Sequence, residues 1–335
     1  MEIDEGASMF ADAVEWFRHR SYDYRQFSDL EDMGRRKHEL GLTVSAVLPC
    51  RNVADTVGGI VDEIHTVNER APLVDQILAL DADSADGTAE VAASRGAEVY
   101  SENELLSHYG GAHGKGDAMW RSLSVAQGDL VMFIDADTKD FKPQLVYGVL
   151  GPILYVPEVR FAKAAYRRPF KSYETVEVDG GGRVTELTAK PLFNLFYPEL
   201  AGFVQPLAGE FVADKELFCS IPFLTGYAVE TGIMIDVFKR VGLGAMAQVD
   251  LGIRQNRHQP LRDLSRMSYS VVRAVARRLR QEGRLNQARD PSLPESLFQF
   301  SDYHHAVATP KGLKLQEYVE ELVERPPINE VLRVG

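Results

Sequence analysis

Two carboxylates one residue apart close an apolar run, Leu130-Val-Met-Phe-Ile followed by Asp135-Ala136-Asp137. Carboxylates so spaced at the end of a strand reach one divalent cation, and a cation there neutralises a nucleotide diphosphate. Taken alone, D-x-D is equally an ordinary acidic turn. Two other strand ends support the ligand-binding reading. Leu48-Pro49-Cys50-Arg51-Asn52 stands where a first strand would hold a base and ribose, and Leu80-Asp81 opens a dense acidic turn through Asp86-Gly87-Thr88.

The segment Gly110-Gly-Ala-His-Gly-Lys115-Gly116 is not a Walker loop, because Tyr109 and Gly116 stand where that loop needs a glycine and a hydroxyl. A glycine-flanked lysine opening a helix still reaches a diphosphate through its ammonium and the helix N-terminus. A plain turn is the alternative. Ala165-Tyr-Arg167-Arg168-Pro169 and Gly180-Gly-Gly182-Arg183-Val184-Thr185 set guanidinium groups beside exposed backbone amides, a site for a phosphate or carboxylate. Solvated surface arginines are the bland reading, and an acidic chain makes such clustering less expected.

Those side chains need a scaffold. From Thr43 onward short apolar runs alternate with amphipathic segments, the pattern of βαβ units in a parallel sheet. Strands are predicted at 44–49, 76–81, 97–100, 130–135, 183–188 and 245–251, and after Pro152 the pattern loosens into mixed strands and helices that include 160–168. Helices are predicted at 56–69, 88–94, 115–126 and 230–241, with Asp55 and Asp86 as N-caps and Gly96 and Gly128 as stops. In such sheets ligands sit outside the carboxyl ends of the strands, which is where Pro49, Asp81 and Asp135 fall. A basic amphipathic helix follows at 260–280, with Leu264, Val271, Val272, Val275 and Leu279 on one face. It docks by that stripe or, as the minority reading, lies on a membrane surface.

The 335 residues carry 37 Lys plus Arg against 49 Asp plus Glu, a net charge of −12. That sign argues against a nucleic-acid or anionic-membrane surface, since both need a basic field. Two cysteines, Cys50 and Cys219, make no disulfide framework and point to a reducing cytoplasm. No run approaches the roughly 18 apolar residues of a membrane span, and the acidic start Met1-Glu-Ile-Asp-Glu is unlike a signal peptide.

Together with Gly114-Lys-Gly-Asp-Ala-Met-Trp-Arg-Ser122, Gln205-Pro-Leu-Ala-Gly209-Glu210 and Gly226-Tyr-Ala-Val-Glu230, these segments resemble the glucosyl-3-phosphoglycerate and mannosyl-3-phosphoglycerate synthases, retaining GT-A glycosyltransferases. The resemblance covers residues 43–280, and Gly180–Leu187 and Tyr166–Pro169 are its specific parts. It implies an α/β, GT-A (Rossmann-like) nucleotide-sugar transferase sheet with helical N- and C-terminal extensions. The divisions that follow are an N-terminal arm at 1–40, a nucleotide-sugar-binding half at 41–152, an acceptor half at 153–258 and a C-terminal helical extension at 259–335.

The resemblance also implies roles. Pro49, Cys50, Arg51, Asn52, Asp81, Lys115, Asp135, Ala136, Asp137, Gly209, Glu210 and Arg254 would bind the donor. Arg167, Arg168, Gly182, Arg183, Val184, Thr185 and Asn256 would bind 3-phosphoglycerate, and Glu230, Asp135 and Lys115 would serve catalysis. Asp137 and His258 would hold Mg²⁺, Mn²⁺ or Co²⁺. Asn256 stands where the family's R-x-H segment has its histidine, and His258, two residues on, faces the same way in extended chain. Val53 replaces the acidic residue that follows the asparagine in glucosyl synthases, which favours GDP-mannose over UDP-glucose.

The rival readings are a sugar-1-phosphate nucleotidyltransferase, which would carry a Gly-rich basic loop after the first strand, and a nucleotide-sugar-binding protein without turnover, which a damaged metal site would betray. A homodimer is expected from the two terminal arms, because two-fold dimers are the commonest assembly.

Overall fold

The structure, a computed structural model, describes residues 5–172, 175–177, 181–254, 259–285, 302–309, 312–319 and 322–332. In chain order the strands are β1 (Ser21–Asp23), β2 (Val44–Cys50), β3 (Gln76–Asp81), β4 (Glu98–Ser101), β5 (Leu130–Phe133), β6 (Phe161–Arg167), β7 (Phe170–Ser172), β8 (Thr175–Glu177), β9 (Phe211–Asp214), β10 (Phe223–Leu224), β11 (Met246–Ile253), β12 (Asp302–Thr309), β13 (Gly312–Val319) and β14 (Glu324–Arg325). The α-helices are α1 (Glu5–Arg20), α2 (Leu30–Leu40), α3 (Ala54–Arg70), α4 (Thr88–Ser94), α5 (Lys115–Ser122), α6 (Gln144–Tyr155), α7 (Lys190–Phe196), α8 (Lys215–Cys219), α9 (Val229–Val241), α10 (Leu261–Gln281) and α11 (Ile328–Leu332).

Eight strands form one sheet in the order β1-β11-β6-β9-β5-β2-β3-β4, parallel except for β9, which runs antiparallel to both β5 and β6. Helices cover both faces, so β3 is buried along its whole length and β2 at all but one residue. Alternation sorts β2 between two cores. Val44, Ala46 and Leu48 pack with Val57, Ile60, Val61 and Ile64 of α3, whose spacing of three and four makes one apolar stripe. Val47 points the other way, toward Met119 and Trp120 of α5.

This topology builds the site. β2, β3 and β5 are parallel, so Cys50, Asp81 and the chain just past Phe133 emerge at one edge. The reversed β9 begins there too, since Phe211 pairs with Phe133, and this brings Glu210 to the same edge. β11 ends beside β6, where the Arg254 N–H donates to the Arg167 carbonyl at 3.0 Å.

Several local expectations change. Asp55 lies inside the first turn of α3, whose cap residue is Val53, and Gly87 rather than Asp86 caps α4. Asp86 instead accepts from the backbone N–H and hydroxyl of Thr88. The helix from Lys115 stops at Ser122, well short of 126. Residues 185–189 form a π-helix where a strand was predicted. The terminal segments are not purely helical: β1 joins the main sheet, β14 pairs with β10, and β12 pairs with β13. On α10, Val271, Val275 and Leu279 are buried, while Val272 is exposed. The helix thus docks by its stripe, and among the described residues no helix is long and apolar enough to cross a membrane.

Candidate active site

Lys115 opens α5, and Glu230 lies in the first turn of α9. The Lys115 Nζ donates to Asp135 Oδ1 and, at 2.7 Å, to Glu230 Oε1. Burial opposes charge on Lys115 and Asp135, but their attraction outweighs it. Lys115 is held above the ordinary lysine range, and Asp135, with Arg254 adding to the pull, well below the usual carboxylate range. The cluster is therefore a fixed cation between two carboxylates.

Arg254 is the second cation, 3% exposed. One amino group donates to Glu210 and, at 2.9 Å, to the Tyr166 hydroxyl. The other donates to Thr138 Oγ1 and, at 3.3 Å, to Asp135 Oδ2. Asp137 stands 3.9 Å from that group with its side chain 68% exposed. Lost hydration in the cleft and the neighbouring charge of Asp135 raise its carboxyl above the ordinary value. Such an open, crowded carboxylate fits a divalent cation. Among the described residues no three His, Cys, Asp or Glu side chains group around it, and Asn256 and His258 lie outside the described residues.

The turn 205–210 shapes the floor. Ala208 N–H donates to the Gln205 carbonyl at 3.0 Å, and the buried Lys163 Nζ donates to the Ala208 carbonyl at 2.5 Å while lying 4.5 Å from the Phe211 ring centre. Burial pulls Lys163 down to about 7. Gly209 then presses on Asp135, where a Cβ would lie 1.9 Å from Oδ1.

At the base end, Asp81 Oδ2 accepts from the Ser84 N–H at 2.9 Å, but buried Oδ1 has no partner among the described residues. A buried acceptor without a donor suits the N–H of a nucleobase. Pro49 is half-buried, while Arg51 and Asn52 are exposed; Asn52 has a φ of 52° and accepts from Ala85 N–H at 3.3 Å. Two residues expected at the donor keep their side chains in the core. Cys50 turns its thiol into the core toward the Leu48 carbonyl, and burial pushes that thiol up. Ala136 is likewise a core residue, its carbonyl taken by Thr56 Oγ1 at 2.6 Å.

On the acceptor side, Gly181 N–H donates to the Arg168 carbonyl at 2.8 Å, and Gly182 adopts a φ of +72° that glycine tolerates. Arg167 is exposed at the end of β6 and Arg168 half-buried beside it. Val184 and Thr185 are buried, so their side chains help anchor the turn. Arg183 donates to the Gln259 carbonyl at 2.9 Å.

A brace holds α5 from behind. Arg325 of β14 donates from Nε and Nη2 to buried Asp117 at 2.9 and 2.6 Å, and from Nη1 to the Tyr109 carbonyl at 2.7 Å. Arg121 adds 3.2 Å to Asp117 and 2.7 Å to the Gly110 carbonyl. Sequence reasoning missed this brace, together with Thr138 and Lys163. For Lys163 a signal was present, a single lysine inside Phe161-Ala-Lys-Ala-Ala-Tyr166.

Comparison with known proteins agrees with this geometry. Residues 45–153 match the model of glycosyl transferase family 2. The chain is 35% identical over 311 residues to glucosyl-3-phosphoglycerate synthase of Petrotoga mobilis, covering 92% of this chain and 93% of that one. It is similar to the crystal structure of mannosyl-3-phosphoglycerate synthase from Rubrobacter xylanophilus, at 82% identity and TM-score 0.89, over 95% of this chain and 99% of that one. It is also similar to glucosyl-3-phosphoglycerate synthase from Mycobacterium tuberculosis in complex with Mn²⁺, uridine diphosphate and glucosyl-3-phosphoglycerate, at 35% identity and TM-score 0.75, over 90% of this chain and 95% of that one. With the sheet, the Lys115 cluster and these likenesses together, the chain belongs to the glucosyl- and mannosyl-3-phosphoglycerate synthase family of glycosyltransferases.

Proposed function

We propose that the protein moves a hexose from a nucleotide sugar, GDP-mannose ahead of UDP-glucose, to the 2-hydroxyl of 3-phosphoglycerate with retention of configuration. The observation that carries this reading is Lys115 held between Asp135 and Glu230 at the carboxyl edge of the sheet. Asp81 with its free Oδ1 receives the base, and the ammonium of Lys115 stabilises the charge that builds on the departing diphosphate. Asp137 would hold a divalent cation, which would further neutralise that diphosphate; relatives have been crystallised with Mn²⁺. Arg168, Arg183 and the amides of the Gly182 turn orient the anionic acceptor.

Retention favours attack on the same face that the leaving group vacates. Asp135 is engaged by Lys115 and Arg254, Glu210 by Arg254 and Tyr166, and Glu230 by Lys115. With these carboxylates committed to cations, the acceptor hydroxyl passes its proton to a leaving phosphate oxygen, and Glu230 steadies the positive charge on the sugar. Two features support mannose: Val53 after Asn52, and the 82% identity to a mannosyl synthase. The cytoplasmic setting rests on two free cysteines, and a homodimer would cover Val14 and Phe17 of α1, which are exposed.

The test incubates the protein with Mg²⁺ or Mn²⁺, 3-phosphoglycerate and each donor, with products identified by mass and proton NMR. An α-mannosyl product formed faster from GDP-mannose supports the reading. A β-linked product, or donor binding without transfer, overturns it.

A further inference from the structure

Gln205 has a place in the site that its own bonds do not explain. It is 6% exposed, yet among the described residues nothing hydrogen-bonds to its carboxamide, whose N and O are not fully sealed from solvent. An amide that opens toward the cleft without a protein partner is free for a ligand to complete. Its neighbours say which ligand. A Cβ built on Gly182 would lie 3.7 Å from Gln205 Nε2, 3.7 Å from Oε1 and 3.7 Å from Arg168 Cδ. The carboxamide thus borders the Gly182 turn, with the Arg168 stem on the same glycine, the elements read above as the acceptor side.

The chain that follows leads directly to Asp135. The 205–208 turn is closed by the Ala208 N–H, Lys163 fixes the Ala208 carbonyl, and Gly209 abuts Asp135. Gln205, four residues from Gly209 and beside Gly182, thus stands between the groups read above as the donor side and those read as the acceptor side.

We propose that Gln205 binds the acceptor directly, donating from Nε2 to an anionic oxygen of 3-phosphoglycerate and accepting at Oε1 from its hydroxyl in the bound complex, before that proton turns to the leaving phosphate oxygen. This inference rests on the acceptor reading above. An amide is suited to the task because it offers a donor and an acceptor at once, and so fixes both the charge and the nucleophilic oxygen. Leucine of similar size removes both functions. Glutamate keeps the shape and the acceptor but replaces the donor with a negative charge.

The experiment measures steady-state kinetics of the full chain and of Gln205→Leu and Gln205→Glu, varying each substrate, with urea midpoints for all three. Loss of one hydrogen bond to a charged ligand predicts a KM for 3-phosphoglycerate raised about 10- to 100-fold in the leucine variant, and raised further in the glutamate variant. The donor KM and the urea midpoint are expected to stay within twofold and within error, respectively. An acceptor KM unchanged in both variants overturns the inference, and so does a donor KM that rises in parallel. Should the leucine variant fold poorly, the isosteric glutamate variant carries the test. An inactive wild-type protein would instead count against the proposed transfer itself, so the two failures are distinct.

Discussion

Gly209 and Asp135 touch so closely that a Cβ on the glycine would lie 1.9 Å from one carboxylate oxygen and 2.5 Å from the other. The carboxylate that receives Lys115 is thus seated against bare backbone. Gly209→Ala must push Asp135 away from Lys115, and a displacement of about 1 Å in a reacting constellation costs about 100-fold in rate. We expect kcat to fall by that order while circular dichroism stays unchanged, and a variant within threefold of wild type would show that Asp135 need not be held there.

Removing the ammonium leaves Asp135 and Glu230 facing each other without a cation. Lys115→Met is expected to lower kcat about 10²- to 10³-fold, the usual loss for one charge-stabilising donor. Lys115→Arg should not restore it, because a planar fork does not replace a compact ammonium between two carboxylates. Single-turnover measurements with saturating donor separate this effect from binding.

Lys163 makes stability depend on pH in a definite direction. Its folded value, about 7, lies below the 10.5 of an ordinary lysine. Between these values the unfolded chain binds the extra proton, so the burial penalty is fully present below pH 7 and fades as pH rises toward 10. The difference between wild type and Lys163→Met should therefore change across that window by up to about 1.4 kcal/mol per pH unit. Urea melts at pH 7, 8 and 9 read it directly, and parallel curves would show that Lys163 is charged in the folded state.

Arg325→Met leaves Asp117 buried with one fewer cation. Breaking a buried pair from one side costs about 3–5 kcal/mol, so the urea midpoint should drop sharply. The double variant Arg325→Met with Asp117→Asn should recover part of the loss, since the orphaned charge is then gone. Additive losses in the cycle would mean that the two side chains do not communicate.

Much of the donor half was legible because its signals are local. Asp81 and Asp135 sit at the ends of apolar runs, and Lys115 between two glycines opens a helix; each is found within a few residues of the feature that positions it. The acceptor turn was harder. Val184 and Thr185, β-branched and just past Gly182, read as a strand, yet their burial with Ala189 holds a π-helix, a form frequent at functional sites. Arg254 could be assigned but not understood, because Glu210, Tyr166 and Thr138 come from three other segments. Asp117 and Arg325 are 208 residues apart, and no periodicity connects them.

That separation has a consequence for how the enzyme is made. A ribosome adding about 5–20 residues per second needs about 10–40 s to travel from Asp117 to Arg325. During that interval Asp135, Glu210 and Glu230 are added one after another, and the helix bearing Lys115 lacks its Arg325 anchor until the end. A chain one strand short of β14 thus holds the carboxylates of the cleft but not the brace behind the helix that carries Lys115, so the last segment made is the one that fixes the first helix of the site.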